Sequence, residues 1–189
     1  MKRIFAFFGL LAMAAAVLAG CASSQTGRSI PTEEKKVVEG SGSWAYYTFE
    51  DAVEEAKIIV YGTAGEGGEA KRREGADGKS AIDYYHEVPI TVKELVKGEG
   101  SGTVTYREYG GETADTVYKV LDIKPIETGK DYILFLDEKG YPLPPYTMAP
   151  VEDGAVHTTN VPDSVKDEDG RAPESLPIEE YLEMIKNAM

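Results

Sequence analysis

One cysteine, one tryptophan and two histidines stand among 189 residues, and basic side chains are outnumbered 33 to 20. A lone cysteine, Cys21, closes no disulfide within the chain and builds no thiolate metal site, so the fold has to hold by burial. His86 and His157 are far apart in sequence and form no H-E-x-x-H pair, which leaves both as hydrogen-bonded or solvated side chains rather than ligands. The shortage of positive charge, a formal net of −13 at pH 7, excludes a nucleic-acid surface, because phosphate binding depends on Lys and Arg displacing counterions. It also weighs against a domain lying flat on anionic lipid. There is no G-x-S-x-G elbow to activate a serine and no G-x-G-x-x-G or other phosphate-binding loop after a strand. No cofactor is implied.

The clearest feature present is at the start. Lys2 and Arg3 precede an uncharged apolar run from Ile4 to Val17, the pattern of an export signal. A helix of about 14 residues covers roughly 21 Å, short of the roughly 30 Å of bilayer hydrocarbon, so the run is not expected to remain as a transmembrane anchor. Leu18-Ala19-Gly20-Cys21 follows and resembles the lipobox of bacterial lipoproteins. That resemblance implies cleavage before Cys21, diacylglycerol on its thiol and a further acyl chain on the new amino group. The expected partner is then the lipid bilayer, reached through acylated Cys21. The expected location is the extracytoplasmic face of the cell membrane, or an outer membrane where the host has one. Losing Lys2 and Arg3 moves the net charge from −13 to −15.

Residues 21–43 read as the lipidated cysteine and a flexible tether, small and polar with Gly27, Pro31, Gly40 and Gly42 interrupting any pattern. Only Val37 and Val38 offer anything to dock. Thr48-x-x-Asp51 has the form of a capping box, and Phe49, Ala52, Val53 and Ala56 fall on one helix face. Lys57–Thr63 is a continuous β-branched and aromatic run that predicts a central strand. Five glycines between residues 64 and 80 predict a long exposed loop. Residues 84–96 alternate until a phase break near Glu94, which a β-bulge repairs, and Pro89 places that part at an edge or bend. Thr103–Tyr109 and Asp131–Leu136 are further strands, Val117–Ile123 is ambiguous, and 146–151 with 155–159 form a hairpin around Asp153-Gly154. An acidic, proline-containing linker (160–177) leads to a C-terminal amphipathic helix (178–189), with Ile178, Tyr181, Leu182 and Ile185 on one face.

The expected fold is mainly β, a small OB-like, partly open barrel of five or six strands over residues 44–159, with a short N-terminal helix and the C-terminal helix. Ala56–Thr63, Ile90–Gly98 and Thr128–Leu136 resemble uncharacterised exported bacterial domains and, more distantly, the OB-fold netrin-like domains that include tissue metalloprotease inhibitors. Those inhibitors use a free N-terminal cysteine and disulfides, which this chain does not match, so no functional residue is carried over.

Three readings of function follow. The first is a non-enzymatic binding or accessory module at the cell envelope. Its candidate contacts are the basic loop Lys71, Arg72, Arg73 and Lys79, facing an unknown envelope protein or polymer. Paired tyrosines (Tyr46-Tyr47, Tyr84-Tyr85, Tyr106 with Tyr109, Tyr141 with Tyr146) add a candidate aromatic platform. The second is a carboxylate- or metal-dependent envelope hydrolase using Asp83, Glu87 and Glu108 around a cleft. The third is a spacer or subunit of a surface complex docking through the C-terminal helix. Asp167-Glu168-Asp169-Gly170 fails as a calcium loop, because Val165 and Leu176 stand where the first and last carboxylates belong.

Overall fold

The computed structural model describes residues 34–189. Cys21, the export signal 1–20 and the tether ahead of residue 34 lie outside the described residues. In chain order the elements are β1 (Lys36–Gly40), α1 (Phe49–Glu55), β2 (Ile58–Ala64), β3 (Lys71–Arg72), β4 (Tyr84–Lys97), β5 (Thr103–Tyr109) and β6 (Gly111–Glu112). They continue with β7 (Thr116–Val120), β8 (Asp131–Leu136), β9 (Ala149–Glu152), β10 (Ala155–Val156), β11 (Leu176–Pro177) and α2 (Ile178–Asn187). The fold is mainly β with two helices and mostly antiparallel pairing, and the sheets do not close on themselves. A main sheet runs β11-β10-β9-β8-β2-β4-β3 with β5 also paired to β4, and a small sheet runs β1-β7-β6.

The capping box forms as its spacing predicts. Thr48 Oγ1 accepts from the Asp51 N–H at 3.1 Å, and the Asp51 carboxylate accepts from the Thr48 N–H at 3.1 Å. α1 thereby starts in the orientation that buries Phe49, Ala52 and Val53. β2 lies between β4 and β8, and its apolar run is buried on both faces. Ile59 joins Ile133, Phe135, α1 and α2 on one side. Val60 joins Leu134, Val88, Ile90 and Tyr106 on the other.

β4 is long because it changes partners. Its second half pairs with β2, its first half with β5, and its start with β3. Two register shifts against β2 leave Val96 and Lys93 as extra residues, bracketing the phase break at Glu94. Pro89 sits one residue beyond the last β2 pair, Ala64↔Ile90, where its missing N–H breaks no β2–β4 pair. The β9–β10 hairpin turns on Asp153 and Gly154, both at positive φ (51° and 79°), the combination that a two-residue loop of type I′ needs.

Four short elements depart from expectation. Residues 36–40, read as part of the tether, form β1 and run parallel to β7 from Lys36↔Thr116 to Gly40↔Val120. Val37 remains 57% exposed, so backbone pairing rather than burial holds β1, which is why hydropathy gave no sign of it. β3 lies in the glycine-rich loop, and β6 is equally short. The stretch 160–177 is no free linker, since Val161 and Leu176 enter the same core as α2 and β11 pairs with β10. α2 lays Tyr181, Leu182 and Ile185 on that core, its Tyr181 hydroxyl donating to the Asn160 carbonyl at 2.9 Å.

Ile133 is fully buried between β2 and the helices, so Ile133→Ala is expected to cost roughly 2–5 kcal/mol. Thr48→Ala, which removes one cap, costs about 1 kcal/mol. Urea unfolding of the two variants checks both the sizes and their order.

Candidate functional site

The ladder of β4 and β5 runs from Tyr85↔Tyr109 to Thr91↔Thr103, and alternation along it makes two surfaces of opposite character. Even-numbered residues face inward: His86 opposite Glu108, Val88 opposite Tyr106, Ile90 opposite Val104. Odd-numbered residues Tyr85, Glu87 and Arg107 face the other way, toward solvent and loops, and Tyr109, at the end of the ladder, also reaches the cavity wall.

The inward pair at the end of the ladder is charged. His86 Nε2 lies 3.2 Å from Glu108 Oε2, and Glu108 is 3% exposed. The second Glu108 oxygen accepts the Ile126 N–H at 2.7 Å, so both carboxylate oxygens are committed. The carboxylate assigns the Nε2 proton to the imidazole. It also holds the His86 pKa above its ordinary value, against the opposing effect of burial. His86 Nδ1 is buried without a hydrogen-bond partner. Two glycines clasp the ring: a Cβ on Gly67 or on Gly111 would come within 2.6 Å of it, and Gly111 also has φ of +109°.

This pair forms part of the wall of a cavity of about 460 Å³ between the β4–β5 ladder and the small sheet. Val88, Val117, Val120, Ile123, Pro125 and Ile126 supply apolar walls, and the glycine-rich turn 65–68 brings backbone up to it. Glu112 and Lys119 are its other charged lining residues, and Leu121, which also lines it, is 55% exposed. β7 forms one wall and is held on both edges by β1 and β6. A Lys35–Glu112 ion pair joins the residue ahead of β1 to β6.

One imidazole nitrogen faces a carboxylate and the other is buried. Thr128, the lining aliphatic hydroxyl, is engaged in donating to the Gly65 carbonyl at 3.2 Å, and no imidazole addresses it.

The sequence-derived candidates fall in several places. Of the basic loop, Lys71 pairs with Glu87 at 2.7 Å, Lys79 with Asp77 at 2.9 Å, Arg72 is exposed on β3, and Arg73 lies over the Tyr109 ring at 5.4 Å. Asp83, Glu87 and Glu108 do not converge. Asp83 accepts the N–H groups of Lys79 and Ser80 at 3.0 Å, Glu87 sits on the outward surface, and only Glu108 lines the cavity. His157 is exposed. Asp167 caps its own turn by accepting from Asp169 and Arg171. Among the described residues no group of three or more His, Cys, Asp or Glu is placed to hold a metal ion. Tyr85, Tyr109 and Tyr141 come together, as do Tyr84 and Tyr118 at 3.6 Å. Tyr46, 82% exposed, Tyr47 and Tyr146 lie elsewhere.

Compared with known protein families, curated proteins and solved structures, the chain matches none.

The His86–Glu108 pair is what sequence reasoning missed. Its signal is the hairpin register, since fixing Thr91↔Thr103 puts 86 opposite 108. The glycine-rich loop and the bulges beside it leave that closing pair undetermined from sequence. An unfolded imidazole titrates near pH 6.5 and the folded His86 above it. The pair's stabilisation is therefore complete below about pH 6.5 and disappears as pH rises through the folded value. Urea midpoints of the parent protein should show this fall above about pH 6.5, and Glu108→Gln should remove that step.

Proposed function

We propose that this chain is a lipid-anchored protein of the extracytoplasmic membrane face whose domain holds a small, largely apolar molecule in the His86–Glu108 cavity, without catalysis of its own. The observation that carries this reading is the cavity itself. Its volume of about 460 Å³ lies within the roughly 300–1,000 Å³ of small-molecule sites. Val88, Val117, Val120, Ile123, Pro125 and Ile126 form its apolar walls, Glu112 and Lys119 also line it, and its buried charges are a pair of opposite sign that sum to zero. A net anion or cation gains nothing there over water, whereas an uncharged molecule with one weakly polar end loses little by entering.

Anchoring rests on the Leu18–Cys21 pattern, with acylated Cys21 as the contact to the bilayer. The two bulges that bend β4 over β2 support an OB-like, partly open barrel as the finer description of the fold. The hydrolase alternative keeps one cavity carboxylate, Glu108, and it is bonded on both oxygens. The spacer alternative needed a free apolar face on α2, and that face lies on the domain's own core.

The test uses the full chain carrying Cys21→Ser, which has no thiol to acylate. N-phenyl-1-naphthylamine, a neutral apolar fluorophore, should bind it saturably at one site. Val117→Trp, which fills the cavity from β7, should weaken that binding by about tenfold or more, equivalent to about 1.4 kcal/mol. Equal affinity in the two proteins overturns the cavity assignment. In cells, Cys21→Ser should move the protein out of the membrane fraction, and retention there would overturn the anchor.

A further inference from the structure

The outward surface of the β4–β5 ladder carries a second arrangement, which meets the cavity only at Tyr109. Arg107 lies over two tyrosine rings at once, Tyr85 at 5.2 Å and Tyr141 at 5.6 Å. Arg73 lies over Tyr109 at 5.4 Å, and Tyr109 stacks on Tyr141 at 5.5 Å. Two guanidinium groups therefore flank one tyrosine pair. Both act on Tyr141, lowering its hydroxyl pKa against the larger effect of burial, which raises it.

Neither arginine is used up by the fold. Among the described residues Arg73 has no carboxylate within salt-bridge distance, and Arg107 reaches only Glu87, at 3.3 Å, which it shares with Lys71. The Nε of each is buried without a partner. A guanidinium carries five N–H donors in a planar fork, and stacking on tyrosine holds that fork in place while removing part of its hydration. A stacked fork of this kind matches planar oxyanions. Lys71, Arg73 and Arg107 against Glu87 and Asp137, whose charge acts on Tyr109, leave a local excess of one positive charge on a chain whose net charge is −13. The tyrosine hydroxyls beside the forks offer partners for neutral hydroxyl groups.

We propose that this surface, Arg73 and Arg107 around Tyr85, Tyr109 and Tyr141, is a binding site for a carboxylate-bearing glycan, with the forks taking carboxylates and the tyrosines taking sugar hydroxyls and ring edges. The exposed chain of such a polymer suits an open sheet surface, and repeated carboxylates suit two cations set on either side of an aromatic pair. Arginine forks take phosphate as well as carboxylate, but a phosphate polymer has no sugar hydroxyls or ring edges to use Tyr85, Tyr109 and Tyr141, and Lys71 and Lys79 are both engaged by carboxylates of the chain.

The test is affinity electrophoresis of the full chain carrying Cys21→Ser through gels containing polygalacturonate, polyphosphate or neutral dextran. Polygalacturonate should retard the protein at low salt and lose its grip near 1 M salt, where the Debye length falls to about 3 Å. Arg73→Gln with Arg107→Gln should weaken this by about tenfold or more, and Arg73→Lys with Arg107→Lys by an intermediate amount, because charge remains and the stacked fork does not. Urea unfolding confirms that each variant is folded. Equal retardation of the folded double Gln variant overturns the proposal. So does stronger retardation by polyphosphate or dextran, or none by polygalacturonate.

Discussion

A carboxylate buried to 3% exposure beside apolar side chains has to be neutralised, and Glu108 is neutralised by His86 across one rung of the β4–β5 ladder. Removing one partner of a buried ion pair generally costs roughly 3–5 kcal/mol, because the remaining charge stays desolvated. The surroundings are arranged to avoid that state. The Ile126 N–H takes the second oxygen, which pins the loop after β7 to β5. Gly67 and Gly111 leave room for the imidazole where any side chain would collide with it. The cavity exists because these constraints keep the small sheet and the turn 65–68 standing off the ladder instead of collapsing on it.

The same ladder explains why one hairpin carries two surfaces. Side chains alternate at period two, so a single register puts His86 and Glu108 in the wall of the cavity and Glu87 and Arg107 on the opposite surface. A slip of one residue would exchange them and bury the arginine. Register is held by Val88, Ile90, Val104 and Tyr106, which fill the inner core, and by the bulges at Lys93 and Val96, which let β4 follow β2 without losing phase with β5.

Local signals were legible in the chain wherever chemistry acts at short range. Thr48 and Asp51 cap α1, Asp153-Gly154 turns a hairpin, the break near Glu94 marks bulges, and Ile178, Tyr181, Leu182 and Ile185 mark the face that α2 buries. Elements held by long-range backbone pairing were not legible. β1 and β7 are joined by main-chain bonds between residues about 80 positions apart, and nothing in Val37-Val38 names Val117 or Tyr118 as the partner. The site failed to show for the same reason. His86 gave no sequence sign of its function because its meaning depends on which residue lies across the sheet, whereas Lys71, Arg72 and Arg73 stood out as a charge run although Lys71 is already paired within the chain.

The account stands on His86 and Glu108 acting as one unit, and a double-mutant cycle measures that directly. His86→Gln, Glu108→Gln and the double variant would be unfolded in urea at pH 6, where the pair is charged. The account predicts strong non-additivity, each single change costing nearly as much as both together. Costs that simply add would mean that the two side chains are neighbours without being partners, and would contradict it.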